Sequence, residues 1–397
     1  MSPILAGTLC NTATDAVLAP SEPENNLSCL QHGRPVKLTI FGLTLSSSWG
    51  NGHATPYRAI LRALHRLGHE TSFYEKDTEY YSKRRDFVNC DYCNLVVYSC
   101  WDEIRNAALA DAADSDVVIV GSYCPEGARI SDETLQLVGP MHVFYDLDTP
   151  ITLKNLASAD VDYLRRDQVP AFDLYLSFTG GEVLHELEQV WGARCARALY
   201  GCVDPDVYVR VPARPEFTCD LSYMGTYAPD RQEKLDELFL SPAREMVDGR
   251  FVLAGTLYPR EWQWPRNVVR YDHVAPHDHP ALYSSSRATL NITRGGMART
   301  GYCPSGRFFE AAACGTPIIS DWWHGLDSFF SNDEIFLAQD ARDVLNVLRS
   351  RDEDLEAYAK RARARTLDEH TGEQRAWQLL QHIEGARHIN TEAEVNS

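Results

Sequence analysis

The sequence predicts an α/β protein made of two Rossmann-like domains in tandem, with a cleft between them. Short β-rich runs alternate with helix-length segments, the alternation stops at one polar stretch that contains prolines, and it then begins again. Strands that alternate with helices form parallel sheets with helices on both faces. A chain of 397 residues has room for about two to three domains, so each series is expected to form one domain.

The first series opens with the β-rich run 36–42, which a loop separates from a segment of helical spacing at 55–67. Gly68 follows that segment, as is common at the end of a helix. Further strand-like runs of the first series stand at 71–74, 117–120, 142–145 and 174–177.

The second series repeats the pattern after the polar stretch. Its strand-like runs stand at 221–225, 251–255, 268–271, 288–292, 317–320 and 335–337. From 341 to about 384, Arg, Glu and Leu recur at i, i+3 and i+4, which is typical of a pair of solvent-facing helices. The predicted boundaries are an irregular tail at 1–35, an N-terminal domain at 36–205, a linker at 206–216, a C-terminal domain at 217–365, a C-terminal helix at 366–385 and a tail at 386–397.

Charge and cysteine usage narrow the class of protein. With 38 basic and 56 acidic side chains the formal net charge is −18, which disfavours nucleic acid and anionic membranes as partners. The sequence has no run of about 18 apolar residues and no signal-peptide pattern, so we expect a cytoplasmic protein without integral membrane association. The eleven cysteines are expected to be reduced.

One pair of cysteines has the spacing of half a zinc site. Cys90 and Cys93 are three residues apart, but no matching second pair occurs in the sequence. Cys100 closes the apolar run 94–99, which is typical of a strand or a short helix. A lone pair is a weak zinc signature, so we expect ordinary thiols and no metal here.

The stretch 304–317 carries charge on an otherwise apolar helix. Ser305 and Gly306 form a turn with a candidate N-cap, the predicted helix runs to Cys314, and Gly315 ends it. In an open α/β sheet the start of such a helix faces the edge where ligands bind, and its free N–H groups favour an anion such as a diphosphate.

Two charged residues share one face of this predicted helix. Arg307 and Glu310 are three residues apart, so the arginine is placed to hold phosphate and the carboxylate to accept hydrogen bonds from ribose hydroxyls. The alternative is an intrahelical ion pair on a surface helix. The apolar neighbours at 308–309 and 311–314 indicate burial, where idle charges are costly, and favour the nucleotide.

Here the sequence resembles a known family. The runs 290–294 and 307–317 look like the signature of two-domain glycosyltransferases of the GT-B fold, and they are most similar to the spore-maturation CgeB-like glycosyltransferases. The resemblance covers roughly residues 37–380 and includes the runs 47–58, 144–150, 177–181 and 220–227.

The resemblance implies a function and a separate role for each domain. A nucleoside-diphosphate sugar would bind the C-terminal domain, the acceptor would bind mainly the N-terminal domain, and catalysis would take place in the cleft. Glu310 matches the carboxylate that binds the donor ribose. Retaining relatives carry a second glutamate eight residues earlier, where this chain has Tyr302, so the resemblance leaves the stereochemistry open.

Further donor-binding candidates follow strands of the second series. Gly225 and Thr226 come directly after the first strand, where a glycine lets backbone N–H groups approach a pyrophosphate. Arg231 and Arg294 are candidate phosphate partners. Each of these two arginines has a surface ion pair as its alternative.

In the N-terminal domain, His53 is the candidate general base, since imidazole titrates near neutral pH. Its alternative is a histidine that caps a helix or lines the cleft. The loop before it supplies candidate acceptor or cleft residues, namely Trp49, Gly50, Asn51 and Gly52.

Two aspartates and one tryptophan complete the candidates. Asp146 and Asp148 follow a predicted strand, and either is a candidate base or a residue that orients the base; both are equally suited to cap the turn before Pro150. Trp322 is placed to stack on a sugar or simply to pack.

The sequence therefore predicts a nucleotide-sugar-dependent, hexosyltransferase-like glycosyltransferase without a tightly bound metal or other cofactor. Its acceptor is a glycan, a protein or a small molecule. Two alternatives stay open: a sugar-nucleotide epimerase or hydrolase of similar fold, and a non-catalytic protein that binds a sugar nucleotide or a glycan. A dinucleotide oxidoreductase is disfavoured because Gly-x-Gly-x-x-Gly does not follow the first strand.

Overall fold

A computed structural model describes residues 34–50, 52–87, 89–259 and 261–395. Within them, the strands of a first sheet are β1 (Lys37–Gly42), β2 (Glu70–Lys76), β3 (Asn94–Tyr98), β4 (Val117–Gly121), β5 (Met141–Asp146), β6 (Leu174–Ser177) and β7 (Ala196–Ala198). A second sheet contains β8 (Cys219–Met224), β9 (Phe251–Ala254), β10 (Val268–Tyr271), β11 (Ser286–Asn291), β12 (Ile318–Ser320) and β13 (Phe336–Leu337).

Helices connect the strands and cover the sheets. In chain order the described α-helices are α1 (Ala54–Arg66), α2 (Glu79–Ser82), α3 (Trp101–Ala113), α4 (Gly127–Thr134), α5 (Thr149–Leu156), α6 (Glu182–Gln189), α7 (Gln232–Leu235), α8 (Ser241–Glu245), α9 (His279–Ser285), α10 (Gly295–Thr300), α11 (Gly306–Ala313), α12 (Ala341–Leu348), α13 (Asp352–Glu369) and α14 (Gly372–Val395).

The predicted fold class is confirmed: both sheets are parallel and Rossmann-like. The strand order is β3-β2-β1-β4-β5-β6-β7 in the first sheet and β10-β9-β8-β11-β12-β13 in the second. The apolar run at 94–99, which the sequence left open, is strand β3, and β7 is a short edge strand that the sequence pattern missed.

The strand order reverses once in each sheet, between β1 and β4 and between β8 and β11. Loops that leave neighbouring strands at such a point diverge to opposite faces, which opens a crevice at the carboxyl ends of the strands. Each sheet therefore has one preferred place for a ligand.

Helix α1 shows why the helices stay on their sheets. Its side chains Tyr57, Ile60, Leu61 and Leu64 recur at helical spacing and are buried against the first sheet. A stripe of this width is what a core-facing helix needs, and burial of each such side chain stabilises the fold by about 1.5–3 kcal/mol.

The chain returns to the first sheet at its end. Ala376, Leu379 and Ile383 of α14 are buried in the same hydrophobic cluster as α1, so this helix is not simply solvent-facing as its composition indicated. Helix α14 also continues to Val395, through most of the segment expected to be a tail, and a break at residues 370–371 separates it from α13. The predicted domain boundaries otherwise stay predictions. The segment 1–33 lies outside the described residues.

Among the described residues, no helix is both long and apolar enough to cross a membrane.

Candidate active site

A cavity of about 380 Å³ lies at the carboxyl ends of both sheets. Its walls come from loops after β1, β5 and β6 of the first sheet and from loops after β8, β9, β10 and β11 of the second. Both crevices at which the strand order reverses contribute to it. A volume of this size is in the range of about 300–1,000 Å³ that small-molecule sites occupy.

Most residues singled out from the sequence meet in this cavity. Those that line it are Trp49, Gly50, Gly52, His53, Asp148, Gly225, Thr226, Arg231, Arg294, Ser305, Gly306, Arg307 and Glu310. Asp146 and Trp322 are not among the described lining residues, and Asn51 lies outside the described residues. The individual roles assigned to these residues stay predictions.

Three arginines concentrate positive charge at one end of the cavity. Arg231 is only 7% exposed, and its Nη2 donates to the carbonyl of Thr226. Its Nε has no hydrogen-bond partner among the described residues. Burial, together with the charges of Arg307 and Arg294, lowers the pKa of Arg231.

The positive charges of Arg307 and Arg294 are also only weakly compensated by neighbouring carboxylates. Arg307 donates from Nη1 to the carbonyl of Met224 and from Nε to Ser305 Oγ at 3.0 Å. Arg294 Nε lies 3.8 Å from Asp230 Oδ2 on a half-exposed side chain. Buried cations without carboxylate partners are costly, so this end of the cavity is built for an anion.

Helix α11 adds its N-terminus to this region, as predicted from the stretch 304–317. Ser305 precedes the helix with an extended backbone, no neighbour would meet a Cβ on Gly306, and Gly315 closes the helix with a φ of +70°. The first-turn N–H groups and the helix dipole therefore face open space in the cavity, where they favour a phosphate.

Two glycines let the backbone approach closely beneath the arginines. A Cβ on Gly255, after β9, would clash with the carbonyl of Gly225, after β8. A Cβ on Gly225 would in turn lie 2.7 Å from Arg307 Nη1. Gly255, which meets backbone atoms, is therefore required by packing, and the predicted approach of Gly225 to a pyrophosphate stays a prediction.

Glu310 is a buried carboxylate one turn into α11. It is 7% exposed and lines the cavity, and the Tyr283 hydroxyl donates to its Oε2 at 3.2 Å. Among the described residues it forms no ion pair with Arg307, which the alternative interpretation of the sequence required. The Tyr208 hydroxyl is a second hydrogen-bond neighbour of Glu310, and two hydroxyl donors leave acceptor capacity on a carboxylate.

On the first-sheet side, Asp148 is the carboxylate that reaches the cavity. The Tyr123 hydroxyl donates to Oδ2 at 3.0 Å, while Oδ1 is buried and has no hydrogen-bond partner among the described residues. Burial raises the pKa of Asp148, and the hydrogen bond from Tyr123 and the charge of Arg294 oppose that rise.

His53 lies at the start of α1 with its ring edge against Tyr123, the ring centroids 5.3 Å apart. Burial lowers the pKa of His53 to about 4. A histidine of this kind is neutral at pH 7 and a weak base.

Asp146 lies in the core rather than in the cavity. It is fully buried, and its oxygens accept from Tyr175 at 2.7 Å, from Thr152 at 2.9 Å and from the Asp148 N–H at 3.1 Å. Burial raises its pKa to about 6. Residues two positions apart on a continuing strand would face the same side, but Asp146 and Asp148 have different surroundings because β5 ends at Asp146 and α5 begins at Thr149.

Trp322 also lies away from the cavity. Its side chain is 63% exposed after β12, whereas the neighbouring Trp323 is buried. Trp322 is therefore not placed to stack on a sugar inside the cavity.

The sequence reasoning missed several lining residues. Asp272, His273 and Val274 follow β10, and His279 opens α9. Trp49 reaches across to His273, with ring centroids 3.8 Å apart. The signal was available, because these residues directly follow a predicted strand, as Gly225 does.

Within the described residues, no group of three or more His, Cys, Asp or Glu side chains is arranged to hold a metal ion. The Sγ atoms of Cys90 and Cys93 lie 3.0 Å apart.

Sequence and structure comparisons relate this site to known proteins. Residues 231–381 match the profile of a family described as glycosyl transferase-like. That region contains Arg231, Arg294, Arg307 and Glu310. This part of the chain is similar to glycosyltransferase domains. Among curated protein sequences no relative matches the chain.

Solved structures share the architecture of the whole described chain. Sucrose-phosphate synthase from Thermosynechococcus elongatus aligns with 92% of this chain and 100% of its own, with a TM-score of 0.60 and 12% identity. An alpha-glucosyltransferase in complex with UDP aligns with 88% and 100%, with a TM-score of 0.65 and 12% identity. HepE of Anabaena, in complex with UDP and glucose, aligns with 88% and 100%, with a TM-score of 0.60 and 10% identity. The chain has the GT-B fold.

Proposed function

We propose that the protein transfers a hexose from UDP-hexose to a hydroxyl group of an acceptor bound on the first-sheet side of the cavity. The observation that carries the proposal is Arg231, a buried cation without a carboxylate partner among the described residues, beside Arg307 and Arg294. A diphosphate supplies the negative charge that this cluster lacks.

The nucleoside would extend from the diphosphate along α11. Glu310 lies one helical turn beyond Arg307 and has acceptor capacity toward the cavity. Ribose hydroxyls need such an acceptor. We choose uridine because two proteins of this fold, the alpha-glucosyltransferase and HepE, are bound to UDP.

In the transfer step, the acceptor hydroxyl oxygen forms a bond to the anomeric carbon of the hexose. The bond from that carbon to the diphosphate oxygen breaks, and its electron pair leaves with UDP. The hydroxyl proton passes to the Asp148 carboxylate. Arg231, Arg307 and the N–H groups of α11 stabilise the charge that develops on the diphosphate, which is the kind of preorganised electrostatic stabilisation that lowers such barriers most.

Three finer features belong to the same proposal. The CgeB-like character rests on the sequence runs quoted above. A cytoplasmic location is supported by the free state of the described cysteines. The acceptor is an uncharged hydroxyl compound, a glycan or a protein, and nucleic acid is not expected, given the net charge of −18.

The test is ligand-dependent thermal stability, measured with UDP, GDP and ADP. Ligand at 100 times its Kd stabilises the native state by about 2.7 kcal/mol, so a selective rise in Tm with UDP is expected. Glu310→Gln and Arg231→Met should abolish most of this rise. Arg342→Met is the charge-matched control, because it removes an exposed arginine that is not among the described lining residues of the cavity. This substitution should leave the rise in Tm unchanged.

Release of UDP from UDP-glucose, with and without acceptors, then separates transfer from binding. A protein that binds UDP-glucose but never releases UDP would contradict the transferase and support a binding protein. Recovery of an epimerised sugar nucleotide would support an isomerase.

A further inference from the structure

The loop between β4 and α4 carries an unusual backbone at the crevice of the first sheet. Tyr123 has a φ of +61° and Glu126 a φ of +58°. Non-glycine residues rarely adopt this conformation, and bulky residues do so least. Where they do, the surrounding structure holds them there, commonly at binding sites. The loop follows β4, one of the two strands at which the strand order of the first sheet reverses.

This backbone conformation brings the Tyr123 side chain between two residues of the cavity wall. Its hydroxyl donates to Asp148 Oδ2 at 3.0 Å, and its ring packs edge-on against His53. On its other side the ring contacts Tyr163, with centroids 4.9 Å apart. Tyr123 is not among the described lining residues, so it acts on the cavity through the residues it holds.

We propose that Tyr123 is a positioning residue: its hydrogen bond to Oδ2 holds the Asp148 carboxylate at the cavity wall, where this carboxylate accepts the proton of the attacking acceptor hydroxyl. The inference rests on the proposed transferase function for its consequence, but its geometry does not depend on that function. The Tyr123 hydroxyl donates to Asp148 and also lies against the Tyr163 hydroxyl, and Asp148 Oδ1 has no donor among the described residues.

The ionisation of Asp148 depends on all the groups that face it. Asp146 and Tyr163 lie on its own side, and Arg294 and Cys303 face it from the second sheet. Burial raises the pKa of Tyr163 and of Cys303 to about 12 in each case, so both are neutral at pH 7. Tyr123 and Arg294 are thus the groups that favour the carboxylate form.

Removal of the Tyr123 hydroxyl should therefore make Asp148 harder to ionise. Because the hydrogen bond stabilises the charged form of Asp148, its pKa should rise in Tyr123→Phe. A base must be ionised to accept a proton, and its rate falls as pH drops through its pKa. In the pH–rate profile of UDP release, the acid limb should move to higher pH. At a given pH on that limb, the rate should be about tenfold lower than in wild type.

The experiment titrates Asp148 directly, in full-length protein with UDP bound. Carboxyl carbons of ¹³C-labelled aspartate are followed by NMR, and the Asp148 signal is assigned by its loss in Asp148→Asn. Tyr98→Phe is the control, because it also removes a tyrosine hydroxyl from the hydrophobic cluster against which Tyr123 packs, and that hydroxyl has no hydrogen-bond partner among the described residues. We expect the titration to shift upward in Tyr123→Phe and to stay in place in Tyr98→Phe.

An Asp148 titration that is the same in Tyr123→Phe and in wild type would overturn the inference, as would equal shifts in both tyrosine variants. A shifted titration without a shifted acid limb of UDP release from UDP-glucose would overturn the catalytic link. Thermal shifts with UDP should be equal in both variants and wild type. Wild type that binds UDP and releases none from UDP-glucose at any pH would refute the proposed function, while the titration still decides the role of Tyr123.

Discussion

Replacement of Arg231 by methionine should separate stability from ligand binding. Arg231 is 7% exposed, and among the described residues its side chain donates one hydrogen bond, to the Thr226 carbonyl. Methionine fills a similar volume without charge. If the arginine is kept for a diphosphate, the ligand-free fold tolerates its loss and the ligand-bound state does not.

The magnitudes follow from what Arg231 contacts. The hydrogen bond to Thr226 contributes about 0.5–1.5 kcal/mol, whereas leaving a cation buried without a partner costs several kcal/mol. Arg231→Met should thus leave the free energy of unfolding unchanged or raise it by about 1–2 kcal/mol. Loss of a charged hydrogen bond to phosphate costs about 1.5–3 kcal/mol, so the Kd for UDP should rise about 10- to 150-fold.

Arg375 is the matched control, a buried arginine that has all its partners. It is 1% exposed and donates to the carbonyls of Tyr200 at 3.1 Å and Glu369 at 2.9 Å, to Gln378 at 3.1 Å and to His370 at 2.8 Å. Arg375→Met leaves these buried acceptors without a donor, which costs at least about 2 kcal/mol.

Urea unfolding of ligand-free protein measures the first quantity, and isothermal titration calorimetry with UDP measures the second. The expected pattern is a stable Arg231→Met that binds UDP poorly and an unstable Arg375→Met that, while folded, binds UDP normally. Equal destabilisation by both substitutions, with the UDP affinity of Arg231→Met unchanged, would refute the assignment of Arg231 to a diphosphate.

Three further predictions concern the same region. Wild type should bind UDP about tenfold more tightly than 2′-deoxy-UDP, and Glu310→Gln should lose this preference, which calorimetry measures; a preference that survives the substitution would remove Glu310 from the ribose. Gly255→Ala should lower the free energy of unfolding by about 1–3 kcal/mol, because its Cβ would clash with the Gly225 carbonyl; an unchanged urea midpoint would contradict that packing. The pKa of Asp146 is raised to about 6, so the stability of wild type relative to Asp146→Asn should fall by about 2 kcal/mol between pH 4 and pH 7, and a pH-independent difference in urea unfolding would contradict the burial of its charge.

Local patterns were sufficient for much of this protein. Two series of alternating strands and helices were readable because side-chain periodicity is set by the backbone of each element. The helix with Arg307 and Glu310 was readable because its start, its end and its buried face all lie within a dozen residues. The comparisons confirm the α/β class and the GT-B architecture.

Other features depend on contacts between distant parts of the chain. Helix α14 shows the polar pattern of a surface helix, yet part of it completes the core of the first sheet. The ring contact between Trp49 and His273 joins a loop of the first sheet to a loop of the second sheet. No spacing in the sequence predicts this contact.

Periodicity along the chain was enough to predict two parallel sheets and the residues that follow their strands. Which of those residues share a cavity became visible only in the folded chain: Asp148 lines it, and Asp146, two positions earlier, is enclosed by Tyr175 and Thr152. In the same way, no pattern in the sequence marks Arg231 as different from other arginines, and its Nε lacks a partner among the described residues only in the fold. Charge compensation and burial are sums over all neighbours in space, whereas a sequence pattern records neighbours along the chain.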